Sequence, residues 1–358
     1  MLGSFMGGAI VNMDEISSSD PIPADFADFW RGNLQKLFAV NPTDKATPGG
    51  DKHYSNYFHY YKMDEAYMRN SLNCESMVSK LSTHDFYEVF LAAPGKMPAV
   101  FYISIPKNLK NNSYPIHMQL NHYSPRNAYI GASDSEIYVG VGPCGMPGVY
   151  YDEKTNTYTK APYDSVGALF VDGPGYDKAE DVYFVGMLQK NIQVLRFLSN
   201  PEYTKGTPFE AVTALYNGKV SFGGGSMGGF QSIATAALVS LSADMGKSVG
   251  TVSKVEVSCP WMCDPLTISG ATNRIKGEGA RANTTSKVLN YFDTAHFATL
   301  IKCEEVVVSG GFADVICPST GLAALYNALN CKTTFRMTQN MNHNGDMPKT
   351  ITNYTRTK

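Results

Sequence analysis

A chain of 358 residues that is 43% hydrophobic and only 17% charged can fill a large core, which excludes an intrinsically disordered polypeptide and allows one large domain or two ordinary ones. Its net charge of −2, with no clustered Lys/Arg surface, excludes nucleic acid as a partner on electrostatic grounds and favours neutral substrates. No apolar run reaches the roughly 18 residues that a membrane-crossing helix needs, so the expectation is a soluble protein with no membrane partner.

Residues 1–11 are weakly apolar but lack the Lys/Arg start and the length of a secretory signal. With Ser17-Ser18-Ser19-Asp20 and two prolines, residues 1–23 read as a mobile lead-in and 24–358 as one domain. Phe26, Phe29, Trp30 and Leu34 then recur at helical spacing, with Asp25 placed to start the helix. Two β-rich runs, 86–92 and 99–105, flank Ala93-Pro94-Gly95-Lys96 and predict an antiparallel hairpin. From there strands alternate with helices. Strands are predicted at 116–121, 166–171, 219–222, 255–258, 306–309 and 333–337. Helices are predicted over roughly 178–198, with Val185, Leu188, Ile192 and Leu195 on one face, and from 227 and about 319. The alternation predicts an α/β fold: a mostly parallel twisted sheet, helices on both faces and an N-terminal antiparallel hairpin. The Gly-, Tyr- and Pro-rich stretch 124–162 has little periodicity and reads as a long loop or lid over one end of the sheet.

Lys219-Val220-Ser221-Phe222 runs into Gly223-Gly224-Gly225-Ser226-Met227-Gly228-Gly229 and then into a helix with Phe230, Ile233, Ala234, Ala237 and Leu238 on one face. A G-x-S-x-G match alone is common in a glycine-rich chain, where it is often a flexible turn. Between a strand and a helix it is the nucleophile elbow of the α/β-hydrolase fold, which needs glycines where side chains would clash. Ser226 is then the candidate nucleophile, and the Met227 N–H, at the positive end of a helix, a candidate oxyanion donor.

That fold takes its acid and then its base from later in the chain. Of the two histidines after Ser226, His296 has aromatic neighbours and reads as structural. His343 lies in a polar loop just past the last predicted strand and is the candidate base. Asp314, five residues beyond Val306-Val307-Val308-Ser309, is the candidate acid; Asp264 and Asp293 compete for the role but precede that strand. A second oxyanion N–H is expected after the 116–121 strand, where Tyr123 is the candidate; His122 beside it reads as a loop hydrogen-bonder. Phe222 and Trp261 are bulky candidates for the substrate pocket. The seven cysteines (74, 144, 259, 263, 303, 317, 331) lack a metal-ligand pattern: Cys259 and Cys263 have no paired cluster downstream. Buried free thiols are expected, at least one of which cannot pair within the chain, and neither a metal nor a cofactor is called for.

Several blocks in order resemble the acetyl xylan esterase and cephalosporin-C deacetylase family (carbohydrate esterase family seven) over roughly 24–345. They are Asp25-Phe26-Ala27-Asp28-Phe29-Trp30, His122-Tyr123, the elbow around Ser226, Cys259-Pro260-Trp261-Met262-Cys263-Asp264, Tyr291-Phe292-Asp293 with Phe297-Ala298, Ile301-Lys302-Cys303, and Asp314-Val315-Ile316-Cys317-Pro318-Ser319-Thr320. The resemblance implies an α/β-hydrolase that removes acetyl or other short acyl groups from carbohydrate or related small esters. It implies Ser226, Asp314 and His343 as the catalytic residues, backbone oxyanion donors at Tyr123 and Met227, and no cofactor. The partner it implies is a small-molecule or oligosaccharide ester, and it admits a homo-oligomer.

The chain departs from the family in having Gly223 and Met227 where Arg and Gln are usual, and only Asp172-Gly173-Pro174-Gly175 where a longer motif stands. It also leaves little room after His343 for the fold's usual closing helix. The alternatives are another α/β-hydrolase, such as a peptidase or longer-chain esterase, and a carbohydrate-binding pseudoenzyme. The compartment stays open, a periplasmic or secreted location being favoured over the cytoplasm.

Overall fold

The structure is a computed structural model that describes residues 8–45, 57–70, 72, 74–95, 98–109, 113–121, 130–141, 149–152, 157–160, 178–265, 288–345 and 353–358. Its strands are β1 (His59–Lys62), β2 (His84–Leu91), β3 (Ala99–Pro106), β4 (Tyr114–Leu120), β5 (Ile137–Val141), β6 (Val149–Asp152), β7 (Thr157–Lys160), β8 (Tyr216–Gly225), β9 (Thr251–Ser258), β10 (Cys303–Gly311), β11 (Lys332–Thr338) and β12 (Asn353–Thr357). Ten of them form one sheet in the order β1-β2-β3-β5-β4-β8-β9-β10-β11-β12, and β6 and β7 pair separately. The predicted hairpin is β2–β3, with Leu91 opposite Ala99. The run β5-β4-β8-β9-β10-β11 is parallel throughout, as the strand–helix alternation requires.

The central helix follows directly from β8. It spans Met227–Asp244, and every residue from Met227 to Ser242 is buried. A helix apolar all round belongs inside a domain. Its polar groups are paired there: Ser232 donates to the Gly228 carbonyl (2.7 Å), and Gln231 Nε2 donates to the Asn121 carbonyl (2.8 Å), which ties the helix to the end of β4. Across from it, Asn191 on the helix Tyr183–Leu198 donates Nδ2 to Thr235 Oγ1 at 3.0 Å.

The aromatic block near the N-terminus has a packing explanation. On the helix Phe26–Phe38, Phe26, Trp30, Leu34 and Leu37 are buried. Trp30 packs edge-on to Phe292 and donates Nε1 to the Tyr291 carbonyl at 3.2 Å, while Phe26 meets Phe297. Aromatic side chains buried in this way stabilise the fold by roughly 1.5–3 kcal/mol each. The helix is thereby fixed to the segment 291–298.

Several expectations need correction. Within 124–162, read as a long loop or lid, residues 137–141 are β5, which sits inside the sheet between β3 and β4. Ile137, Val139 and Val141 are all buried there, and this short alternation was hidden among glycines. The lead-in is not free over its described part: Asn327 Nδ2 donates to the Met13 and Ile16 carbonyls, and the Ser19 N–H donates to Asp264 Oδ1 at 2.9 Å. The closing element after His343 is a strand, β12, antiparallel to β11. The strand predicted at 166–171 lies outside the described residues. No helix among the described residues is long and apolar enough to cross a membrane.

Beside the main core lies a smaller cluster on the β1–β3 side, built from Met63, Met68, Leu72, Phe86 and Tyr102. Glu88 is buried in the same region, where its carboxylate accepts the hydroxyls of Tyr67 (2.8 Å) and Tyr102 (2.9 Å). Burial outweighs both hydrogen bonds and raises its pKa to about 7.

Candidate active site

Ser226 occupies the turn between β8 and the central helix with φ 53° and ψ −118°, a left-handed conformation that a residue with a Cβ adopts only under constraint. Three main-chain bonds supply the constraint. Ser226 N–H donates to the Ser258 carbonyl at 2.9 Å, and the Ser226 carbonyl accepts the N–H groups of Trp261 (2.8 Å) and Phe230 (3.1 Å). The flanking glycines have a steric reason: a Cβ on Gly224 would run into the Gly228 backbone, and one on Gly228 into the Leu120 carbonyl. The elbow is thus pressed between β4 and the helix it starts.

His343 reaches Ser226 from the far side. It lies in the loop after β11, where the Gly345 N–H donates to the Asn342 carbonyl at 3.1 Å to close a turn. Its Nε2 is 2.9 Å from Ser226 Oγ, and its Nδ1 is 2.8 Å from Asp314 Oδ2. A carboxylate only accepts, so Nδ1 carries the hydrogen and Nε2 is left to accept from the Ser226 hydroxyl. Asp314 is held by the turn after β10, its Oδ1 accepting the N–H groups of Ile316 (2.8 Å) and Cys317 (2.9 Å). Burial by itself would raise the Asp314 carboxyl. The hydrogen bond from His343 and those from the Cys317 and Ile316 main chain outweigh it and hold the group below its ordinary value. The carboxylate is fully enclosed, while the imidazole keeps 18% of its surface open.

The residues that competed for the site have other tasks. His296 is buried, with Nδ1 2.9 Å from the Asn290 carbonyl and Nε2 3.1 Å from that of Asp20. Asp293 accepts the N–H groups of Ala295 (2.8 Å) and Asp264 (3.1 Å), as well as the Ser18 hydroxyl. Asp264 accepts from Ser19. All three fasten the N-terminal segment. Phe222 is corrected from a pocket candidate to a core residue: it is only 1% exposed, inside β8, and presents no surface to a substrate. Trp261 stays beside the elbow through its main-chain bond to Ser226. Met227 is the first residue of the central helix, so its N–H belongs to the turn whose donors have no partner within the helix. Tyr123 and His122 lie outside the described residues.

Cys259 was read from the sequence only as a buried thiol. Its Sγ, a carboxylate oxygen of Asp314 and a ring nitrogen of His343 lie within 4.8 Å of one another. Burial first, and then the adjacent Asp314 charge, push the thiol up to about 12, which keeps it protonated. Among the described residues this is the group with a metal-like ligand set, but both ring nitrogens of His343 already have partners within it or at Ser226. Cys259 owes its place to the parallel register of β9 and β10: Ser258 lies opposite Ser309, so the next residue falls beside the turn that carries Asp314.

Residues 210–356 match the family model described as Acetyl xylan esterase (AXE1). No curated protein sequence matches the chain. Among solved structures, acetyl xylan esterase 1 of a Thermoanaerobacterium species is similar over 94% of this chain and 93% of its own, at 17% identity and a TM-score of 0.62. An acetyl xylan esterase of a Paenibacillus species is similar over 94% of both chains, at 16% identity and a TM-score of 0.66. The resemblance read from the sequence blocks is therefore borne out as a resemblance: residues 210–356 match the acetyl xylan esterase family model, and the chain shares the fold of two solved acetyl xylan esterases over nearly its whole length.

Proposed function

We propose that the chain is a serine carboxylic-ester hydrolase that removes acetyl groups from xylan or xylo-oligosaccharides through an acyl-enzyme. The observation that carries this reading is the continuous relay from Ser226 Oγ to His343 Nε2 (2.9 Å) and from His343 Nδ1 to Asp314 Oδ2 (2.8 Å) at a strained elbow. Ser226 Oγ attacks the ester carbonyl carbon as its proton passes to His343 Nε2. Asp314 keeps the ring oriented and stabilises the imidazolium. The carbonyl oxygen, now negative, accepts from the Met227 N–H at the start of the central helix. One such donor is worth about 2.7–4 kcal/mol in the transition state. Collapse breaks the bond to the sugar oxygen, which takes the proton from His343 as it leaves and departs as the free hydroxyl. Water then repeats the sequence on the acetyl-enzyme, releasing acetate and restoring the serine.

The small ester acyl group is supported by the bulky Trp261 held beside the nucleophile and by the family match. Partners are accordingly oligosaccharide esters or smaller acetyl esters. The test is release of acetate from acetylated xylo-oligosaccharides by the wild-type chain, with Ser226→Ala as control. Hydrolysis of para-nitrophenyl acetate without any release from the acetylated sugar would keep the esterase and reject the carbohydrate.

A further inference from the structure

Far from the site just described, Cys303 at the start of β10 and Cys331 just before β11 bring their sulfurs to 3.5 Å. Both are half-buried, so a small reagent can reach them, whereas Cys259, Cys263 and Cys317 are buried. The two strands are already in register beside the pair: Glu305 lies opposite Lys332, whose ammonium sits 2.9 Å from Glu305 Oε1. A disulfide needs about 2.05 Å between sulfurs, so the thiols must approach by roughly 1.5 Å to bond. We infer that Cys303 and Cys331 form a reversible disulfide that clasps the outer ends of β10 and β11, the two strands whose opposite ends carry Asp314 and His343.

The chemistry is thiol–disulfide exchange with a low-molecular-weight disulfide such as oxidised glutathione. The Cys331 thiolate attacks one sulfur of the oxidant, forming a mixed disulfide and releasing one glutathione thiolate. Cys303 then loses its proton and attacks the Cys331 sulfur, closing the Cys303–Cys331 bond and expelling the second glutathione. Two protein thiols are oxidised, one disulfide is reduced, and the two protons end on the two glutathione thiols. Contact with Cys303, then the Thr333 hydroxyl and the Lys358 ammonium, lower the Cys331 thiol against burial, so the exchange is written from Cys331; either sulfur can be the donor in the contact, and the exchange balances equally from Cys303.

The clasp lies far from the site. At about 3.3 Å per residue, Cys303 is roughly 26 Å from the Gly311 end of its strand, so the bond leaves the reacting groups untouched. What it constrains is the unfolded chain and the sliding of β10 against β11. Both thiols are free in the structure, as the sequence leads one to expect, but half-buried instead of buried.

The experiment uses the full chain equilibrated with oxidised or reduced glutathione, quenched with N-ethylmaleimide and measured as an intact mass and a peptide map. The expected result after oxidation is two fewer maleimide adducts than in the reduced sample and a cross-linked peptide joining Cys303 to Cys331. The unfolding midpoint should rise by roughly 3–8 °C and fall back with dithiothreitol. In Cys303→Ser and Cys331→Ser both responses should vanish. Full labelling of both cysteines after oxidation, a stable glutathione adduct on Cys331 without a cross-link, or a cross-link to another cysteine would each overturn the bond. A cross-link that leaves the midpoint unchanged would overturn the clasp.

Discussion

The two halves of the sheet are built from similar apolar strands yet differ in what they can hold. In the parallel half, β8, β9, β10 and β11 all end at the same edge, so the residues just beyond them converge: Ser226, Cys259, Asp314 and His343. In the antiparallel half, β1, β2 and β3 send alternate ends to opposite edges, and no such convergence is available. Glu88, a carboxylate buried there, is instead closed in by two tyrosines. Parallel strands therefore gather chemistry from distant parts of the chain, while antiparallel strands enclose it. The span matched by the family model, 210–356, begins just before β8 and covers the converging half.

Four measurements bear on that contrast. Ser226→Ala should have the largest effect, a loss on the order of 10⁴-fold or more in kcat with the unfolding midpoint little changed, because it removes the nucleophile and no packing element. A residual rate within tenfold of wild type would place the chemistry elsewhere. His343→Ala and Asp314→Asn should each cost on the order of 10³-fold or more, and the double variant little beyond either single one, since the three groups act as a unit. His296→Ala is the internal control: it should lower stability more than turnover, and a larger loss of kcat than that of His343→Ala would reassign the base.

The third is the acyl preference. If Trp261 closes the acyl pocket, the added methylenes cost about 1–3 kcal/mol, or roughly 5- to 150-fold in kcat/KM between acetate and butyrate esters. Equal values on para-nitrophenyl acetate, butyrate and octanoate would point to an open site and a longer-chain esterase.

The smallest effect belongs to the antiparallel half. Glu88 has a folded pKa near 7 against an ordinary carboxyl value near 4.5, so the folded state holds its proton longer than the unfolded one. Stability from this group is therefore complete below about pH 4.5 and falls as pH rises towards 7, by roughly 3 kcal/mol in total. Glu88→Gln should flatten that slope and raise the midpoint at pH 8 while leaving kcat/KM alone. An unchanged pH profile of stability would mean that Glu88 titrates normally.

Much of this site was legible before any coordinates. Ser226 stood out because the elbow's steric demands leave glycines in the sequence, and His343 and Asp314 because chain order and loop position left few competitors. Asp264, Asp293 and His296 were harder, since nothing local says that they bind the N-terminal segment. Phe222 was misread because a strand residue four positions before the nucleophile looks near in sequence and is deep in the core. The strand β5 escaped notice because it is short and carries Gly140, a residue that weakens a strand pattern. Cys259 and the Cys303–Cys331 pair depend on which strands lie side by side and in what register, and a single sequence does not carry that information.

The left-handed backbone at Ser226 has an evolutionary consequence. A conformation of this kind costs on the order of 1–3 kcal/mol in a residue with a side chain and almost nothing in glycine. The nucleophile is thus a standing burden on the fold that carries it. Ser226→Gly should yield a dead protein that melts at a higher temperature than the active one. A lineage selected for heat resistance alone would surrender its serine at this position first, and a lineage that keeps it under heat must find its stability elsewhere.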